Sequence, residues 1–216
     1  MSANWRRPAG ATVLLVTMAG AAVSAQDRGF APITDAMLEN PDPADWLNWR
    51  RTLDGWGYSP LDQINIGNVH QLQLVWSWQL APGLSQPTPL VYDGVMFIPS
   101  PRNIVQAVDA VTGDRIWEHR RQFEASTEEL DSVGSGMRTR SIAMYGDKIY
   151  VNTSDAHIVA LDARTGDVAW DQTVADYSLG YRYTSGPIVV QGKIMAGMTG
   201  CQNYKNDVCF ISAHDA

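Results

Sequence analysis

The sequence VDAVTGDRIW at residues 108–117 recurs, little changed, as LDARTGDVAW at residues 161–170. The two copies lie 53 residues apart, and a third copy opens at the same interval with Asp215. In each copy the Asp can hold a turn through its side chain, and the Gly accepts the positive φ that such a turn requires. A repeat of this length indicates a fold built from similar, stacked units.

Two apolar runs with a turn between them precede each copy of this motif. They read TPLVYDGVMFIPS, SIAMYGDKIYVNTS and GPIVVQGKIMAG, starting at Thr88, Ser141 and Gly186. Hairpin turns are expected between the runs at Asp93-Gly94, Gly146-Asp147 and Gln191-Gly192. Together with the AVDA or ALDA run and the Trp-bearing run, each repeat holds four strands. The sequence therefore predicts an all-β fold, a β-propeller of four-stranded blades, of which about three are present.

The tryptophans of the repeat are expected to dock between neighbouring blades. Trp117 and Trp170 occupy the same place in their repeats, and a large ring suits that packing role. Val75-Trp76-Ser77-Trp78 resembles the outer strand of an earlier blade. Residues 26–45 are expected to form an irregular lead-in, and residues 46–216 the N-terminal part of an incomplete propeller. We expect the chain to be a fragment that is inactive on its own.

The N-terminus has the composition of a secretory signal. Arg6 and Arg7 precede an almost uncharged run at residues 9–23, and Val23-Ser24-Ala25 has the form of a cleavage site. We therefore predict a signal peptide at residues 1–25. A membrane anchor is the alternative, although the run is shorter than the ~20 residues a span needs. The expected location is the periplasm, with no stable membrane insertion after cleavage.

Charge and cysteine content exclude several classes of function. The net charge is −7 and there is no basic stripe, so no nucleic-acid partner is expected. Cys201 and Cys209 are the two cysteines of the chain, and an exported protein is expected to bridge them. They do not form the C-x-x-C-H motif of c-type haem attachment. No further thiol or His lies beside them, which argues against structural zinc.

The segment DWLNWRRTLDGWGYSPLDQINIGNV at residues 45–69 resembles the opening of the pyrroloquinoline quinone (PQQ)-dependent alcohol dehydrogenases, methanol and ethanol dehydrogenases among them. The resemblance continues through W-S-W-x-L at residues 76–80 and both D-A-x-T-G-x-x-x-W motifs, so that it covers residues 45–216. It implies a periplasmic, eight-bladed propeller with PQQ on its axis beside a calcium or lanthanide ion. Such an enzyme oxidises an alcohol, with PQQ as hydride acceptor, and passes electrons to a cytochrome c.

The resemblance also assigns cofactor contacts to particular residues. Arg140 falls where the family has an Arg that contacts PQQ, and Arg138 is the alternative. A guanidinium suits this role because its planar fork pairs with carboxylates. Thr184 and Ser185 match a turn that hydrogen-bonds a PQQ carboxylate. Gln86 stands where many members carry Glu, so it keeps the hydrogen bond and loses the charge.

Gly200-Cys201-Gln202 corresponds most nearly to the G-A-E of the family, whose Glu binds the metal. The resemblance thus places Gly200 beside the cofactor and makes Gln202 a candidate metal ligand, with Asp207 as the alternative. A Gln oxygen is a poorer calcium ligand than a carboxylate. The adjacent cysteines that many members carry are absent from residues 131–140, which indicates a divergent branch. No residue is assigned a catalytic role, because the general-base Asp of the family lies beyond the third blade.

Two questions stay open at the level of sequence. Residues 120–137 depart from the repeat and form either a solvated loop or one that reaches over the cofactor. The whole chain could instead be a non-catalytic propeller of the outer-membrane assembly type, or a sugar-binding or adhesive one. Assembly scaffolds usually lack the opening segment and are often lipoproteins, whose signal ends in Cys rather than in Ala25.

Overall fold

The computed structural model describes residues 29–123, 139–201 and 209–216. The predicted signal peptide therefore lies outside the described residues, as does the loop beyond residue 123. The same holds for three candidate site residues: Arg138, Gln202 and Asp207. No helix in the described part of the chain is long and apolar enough to cross a membrane.

Three antiparallel sheets follow one another along the chain, one for each copy of the repeat. The first blade contains, in spatial order, β1 (Leu90–Tyr92), β2 (Val95–Ser100), β3 (Ile104–Asp109) and β4 (Arg115–Arg120). The second blade contains β5 (Ala143–Tyr145), β6 (Lys148–Asn152), β7 (His157–Asp162) and β8 (Val168–Thr173). The third blade contributes β9 (Ile188–Val190), β10 (Lys193–Gly197) and β11 (Ile211–Asp215) among the described residues. The predicted four-stranded blades are confirmed.

The hairpin turns lie at the predicted dipeptides. Asp93 and Gly94 have φ values of 47° and 74°, and Gln191 and Gly192 have 48° and 68°. Two successive positive φ values are the signature of a type I′ turn, whose twist matches that of the strands it joins. Gly146 also has a positive φ of 58°. These residue types therefore set the register of the first two strands of each blade.

The turn between the third and fourth strands has the same geometry in both complete blades. Asp109 Oδ1 accepts from the amides of Val111 and Thr112, and Asp162 Oδ1 does the same for Arg164 and Thr165. A shift in register lies beside each turn, on the strand that leads into it, between Ala107 and Val108 and between Ala160 and Leu161. The repeated motif thus encodes one local structure twice.

A Trp joins neighbouring blades by packing on the turn between the third and fourth strands of the following blade. Trp117 Nε1 donates to the carbonyl of Ala163 at 3.0 Å, and its ring covers Gly166 so closely that a Cβ there would lie 2.5 Å from a ring carbon. Trp76 donates to Ala110 at 3.2 Å and covers Gly113 in the same way. The predicted docking is confirmed for Trp117.

Trp170 is partly buried and packs on Tyr150, with ring centroids 5.9 Å apart. The continuous core between the sheets includes Phe97, Ile149, Ile158 and Ile194.

Residues 75–78 need a correction. They carry the docking Trp of an outer strand but are not a strand, because no neighbouring segment among the described residues pairs with their backbone. Val75 is accordingly 87% exposed.

The lead-in is more regular than the sequence indicated. It contains the helix α1 (Asp35–Glu39), whose first turn is capped by the Thr34 hydroxyl. Ile33 pairs with Gly146, and the Tyr145 hydroxyl lies 3.2 Å from an Asp35 carboxylate oxygen. Pro32, Pro41 and Pro43 suggested an irregular segment. The observed order depends instead on contacts with a blade more than a hundred residues further along the chain.

The two cysteines form the predicted disulfide. Cys201 and Cys209 are bonded with their Cα atoms 5.3 Å apart, within the usual range. Cys201 is fully buried. The bond closes a short loop that follows β10.

Substitution of Gly166 tests the Trp contact. Gly166→Ala adds a methyl group against the Trp117 ring at a φ of +77°, whereas Gly146→Ala meets no atom within 4 Å at a φ of +58°. Both variants carry backbone strain, but overpacking affects the first alone. We expect G166A to lower the free energy of unfolding by about 1–3 kcal/mol more than G146A. Urea titration of both variants measures this difference, and equal losses would show that the ring contact contributes little.

Candidate functional site

The first strands of the three blades begin around one cavity of about 420 Å³. Residues before or at the start of β1, β5 and β9 line it, because equivalent strands of successive blades begin at the same end of the fold. The opening segment completes the wall. The lining residues are Leu47, Asn48, Trp49, Gln86, Thr88, Arg140, Ser141, Ile142, Ala143, Ser185, Gly186, Pro187 and Ile188.

Arg140 connects all three repeats at this cavity. Its Nε donates to Gln86 Oε1 at 2.9 Å, and one terminal nitrogen donates to the carbonyl of Thr184 at 2.6 Å. Its own carbonyl accepts from the amide of Thr88 at 2.9 Å. Gln86 precedes β1, Arg140 precedes β5 and Thr184 precedes β9. The guanidinium is thus held in place by neutral groups, and neither of these two partners cancels its charge.

The rest of the lining divides into hydroxyl groups and apolar surface. Ser141 and Ser185 bring hydroxyls beside Arg140, while Leu47, Trp49 and Ile188 supply apolar wall. A cavity with mainly apolar walls and a few convergent polar groups is typical of a small-molecule site. A fixed cation with adjacent hydroxyls suits a ligand that carries carboxylates. The cavity therefore suits a small anionic molecule.

The structure brings together Gln86, Arg140, Thr184 and Ser185, but it gives Gly200 a different place. Gly200 does not line the cavity; a Cβ on it would lie 2.0 Å from the carbonyl oxygen of Gly180. Its φ of +79° adds to that restriction. The family motif aligned Gly200 with a site position, but close backbone packing accounts for this glycine.

Sequence reasoning missed part of the wall. Leu47, Trp49 and Ile188 carried no local signal, since an apolar residue near a turn has no distinctive pattern. Ser141 could have been found, because it directly follows Arg140 and lies one repeat length after Thr88. No group of three or more His, Cys, Asp or Glu side chains within residues 29–123, 139–201 and 209–216 is placed to hold a metal ion.

A second cavity, of about 440 Å³, contains an ion-pair cluster between the first two blades. Arg121 follows β4 and forms hydrogen-bonded pairs with Asp155, at 2.8 Å, and with Asp171. His157 Nδ1 lies 2.7 Å from another oxygen of Asp171. The side chains of Arg121 and Asp155 are only 10% and 9% exposed. Here two carboxylates neutralise the cation, so this cluster suits a structural joint between blades.

The cluster lowers the pKa of Asp171, one of its two carboxyl groups. Partial burial alone would raise the pKa of Asp171, but hydrogen bonds from Arg121 and His157 outweigh that effect and lower it below the ordinary value of 3.8. Burial likewise opposes the charge of Arg121, whose pKa is nonetheless raised by Asp155 and Asp171.

The ion-pair cluster between the blades should stabilise the fold less at low pH. A carboxylate with a depressed pKa in the folded state contributes its full stabilisation above the unfolded pKa and loses it as the pH falls through the folded pKa. We expect the free energy of unfolding of the protein to fall between about pH 5 and pH 2, and Asp171→Asn to flatten that decline. Asp167→Asn, which removes an exposed carboxylate outside the cluster, is the control. Chemical denaturation across this pH range measures the slopes, and equal slopes for D171N and D167N would contradict the interpretation.

Comparison with known proteins identifies relatives of this chain. A family model described as "PQQ: Glucose/ethanol/alcohol dehydrogenase, beta-propeller domain" matches residues 46–216. The quinohemoprotein alcohol dehydrogenase ADH IIB of Pseudomonas putida is 36% identical over 193 residues, covering 86% of this chain and 27% of the relative.

Solved structures agree with this result. The quinohemoprotein alcohol dehydrogenase ADHIIG from Pseudomonas putida HK5 superposes with a TM-score of 0.76 at 33% identity, covering 87% of this chain and 28% of that one. A europium-containing methanol dehydrogenase superposes with a TM-score of 0.74 at 29% identity, covering 84% and 31%. The chain thus spans less than a third of the length of each relative.

Proposed function

Because this chain belongs to the family of PQQ-dependent alcohol dehydrogenase β-propellers, we propose that it forms one side of the PQQ site of an enzyme that oxidises an alcohol. The arrangement of Arg140 carries this proposal. Its guanidinium lies at the wall of the cavity and is fixed from both sides, by Gln86 and by the carbonyl of Thr184.

The cavity fits the chemistry of PQQ, a flat quinone with three carboxylates. When bound, PQQ supplies the quinone that takes up the two electrons of the alcohol. Arg140 would pair with a carboxylate, because a buried carboxylate without a cation costs several kcal/mol. The Ser141 and Ser185 hydroxyls would donate to the remaining oxygens. Trp49 and Ile188 would cover the rings and exclude water.

The described lining offers no general base. Its residues include no Asp, Glu or His, and alcohol oxidation needs a group that accepts the hydroxyl proton. We therefore propose that these residues bind and orient the cofactor, and that proton transfer depends on residues outside this set. Residues 46–216 alone would then be inactive.

A metal ion beside the cofactor is part of the proposal. A structural neighbour is named a europium-containing methanol dehydrogenase, which supports calcium or a lanthanide as the ion. Gln202, with Asp207 as the alternative, stays the proposed ligand of this chain. A neutral Gln oxygen would bind such a hard cation more weakly than a carboxylate.

The proposed electron acceptor is a cytochrome c, and the proposed location is the periplasm. Names of relatives that join quinone and haem support the acceptor. Both cysteines of this chain are bonded to each other, so neither would hold a haem. A disulfide also suits an oxidising compartment, in agreement with the predicted signal peptide at residues 1–25.

Substitution of Arg140 tests the site. Arg140→Ala should weaken PQQ binding by about 2–4 kcal/mol, of order a hundredfold, since the charge and its hydrogen bonds are lost together. Arg140→Lys should recover only part of the affinity, because a point charge cannot match the guanidinium fork. Titration of the cofactor-free full-length enzyme with PQQ, followed by fluorescence quenching, gives the affinities.

Arg164→Ala provides the matched control. Arg164 is exposed and lies in the turn between β7 and β8, at the end of the blade opposite to Arg140. R164A should bind PQQ as the parent does. An R140A variant that binds as tightly as R164A would place the cofactor elsewhere, and a parent protein that binds no PQQ would refute the proposed function.

A further inference from the structure

Asn103 lies outside the cavity in an unusual backbone conformation. It ends the tight turn Pro101–Asn103 between β2 and β3, is 1% exposed and has a φ of +52°. Arg102 before it has a φ of +68° but an exposed side chain. Left-handed backbone is costly for residues other than Gly, although Asn tolerates it better than most. Such strain persists where surrounding contacts determine the conformation.

The contacts of the Asn103 side chain all lie in the second blade. Nδ2 donates to the Thr139 hydroxyl at 3.0 Å and to the carbonyl of Asn152 at 3.3 Å. Oδ1 accepts from the amide of Ser154 at 2.9 Å. Asn103, Thr139 and Asn152 are each less than 5% exposed. One carboxamide from the first blade thus meets three buried groups of the second.

Two of these contacts lead directly to the wall of the cavity. Thr139 is the residue before Arg140. Asn152 donates from Nδ2 to the carbonyl of Ser185 at 3.1 Å, while its Oδ1 is buried and has no hydrogen-bond partner among the described residues. A path of hydrogen bonds therefore runs from Asn103 to the segment before β5 and, through Asn152, to the segment before β9. The Asn103 carboxamide is satisfied on both its oxygen and its nitrogen, and in a low-dielectric interior such hydrogen bonds restrict the motion of the groups they join.

We propose that Asn103 is a positioning residue for the cofactor site, which sets Arg140 and Ser185 relative to each other without touching the ligand. This inference rests on the proposed function. Two requirements at position 103, a positive φ and three side-chain hydrogen bonds, explain why the residue is Asn. Gly would relieve the backbone but remove all three hydrogen bonds, and Asp would keep the acceptor but lose the donors and bury a charge. Asn satisfies both the positive φ and the three contacts.

The test compares Asn103→Gly with Arg102→Gly in the protein. Each variant relieves one positive φ of the same turn, but N103G alone removes the network. In the ligand-free protein, hydrogen exchange should become at least about tenfold faster in N103G within residues 139–143, 153–155 and 183–186, because the loss of about 1.4 kcal/mol of local stabilisation is a tenfold effect. R102G should exchange as the parent does.

The affinity for PQQ supplies the second measurement. N103G should bind PQQ about tenfold more weakly than R102G. The same change in an Arg140→Ala background should add clearly less than tenfold, since only the positioning of Ser185 then remains to be lost. A role confined to global stability would lower the thermal midpoint, speed exchange across the core rather than in these segments, and leave the affinity for PQQ unchanged.

Asn152→Ala keeps the test decisive if N103G folds poorly. It removes the link to Ser185 and leaves the Thr139 contact, so exchange should rise within residues 183–186 but not within residues 139–143. Unchanged exchange in both N103G and N152A, or N103G affinity equal to that of R102G, would overturn the inference. A parent that binds no PQQ would refute the proposed function instead, and the exchange data would still decide whether Asn103 orders these segments.

Discussion

The contact between a Trp ring and a glycine turn determines how the blades of this protein are arranged. Trp117 can lie flat on the turn of the second blade because Gly166 has no Cβ, and its indole nitrogen bonds the Ala163 carbonyl. The same contact recurs at Trp76 and Gly113. The Trp117 ring therefore fixes how the second sheet lies against the first, and the first strands of these two blades begin around one cavity.

The two charged sites at this end of the fold differ in how their cations are balanced. Arg121 lies between two carboxylates, which neutralise its charge and so stabilise the joint between the blades. Arg140 is held by an amide oxygen and a backbone carbonyl, which orient it without neutralising it. An anionic ligand gains more from the second arrangement, because the attraction is not already satisfied. This difference in partners separates the candidate binding site from a structural ion pair.

Much of the fold could be predicted from the sequence because the repeat makes local features visible. The turn dipeptides, the Asp-capped turns, the docking of Trp117 and the disulfide all follow from residue types at fixed positions. The site residues were harder to predict from the sequence. Arg140 was found through a family motif, whereas Leu47 and Trp49 reach the cavity through tertiary contacts that leave no local pattern. Asn103 escaped notice because its role depends on three partners 36 to 51 residues away.

The attachment of the lead-in has a consequence for the order of folding. Ile33 bonds Gly146, and Asp35 meets Tyr145 across 110 residues of sequence. Closing so long a loop is slow, and the docking surface does not exist until the hairpin of β5 and β6 has formed. The lead-in precedes the blades in the sequence and yet becomes ordered only after the second blade has formed. Until then Ile33 and α1 lack the contacts that hold them in place.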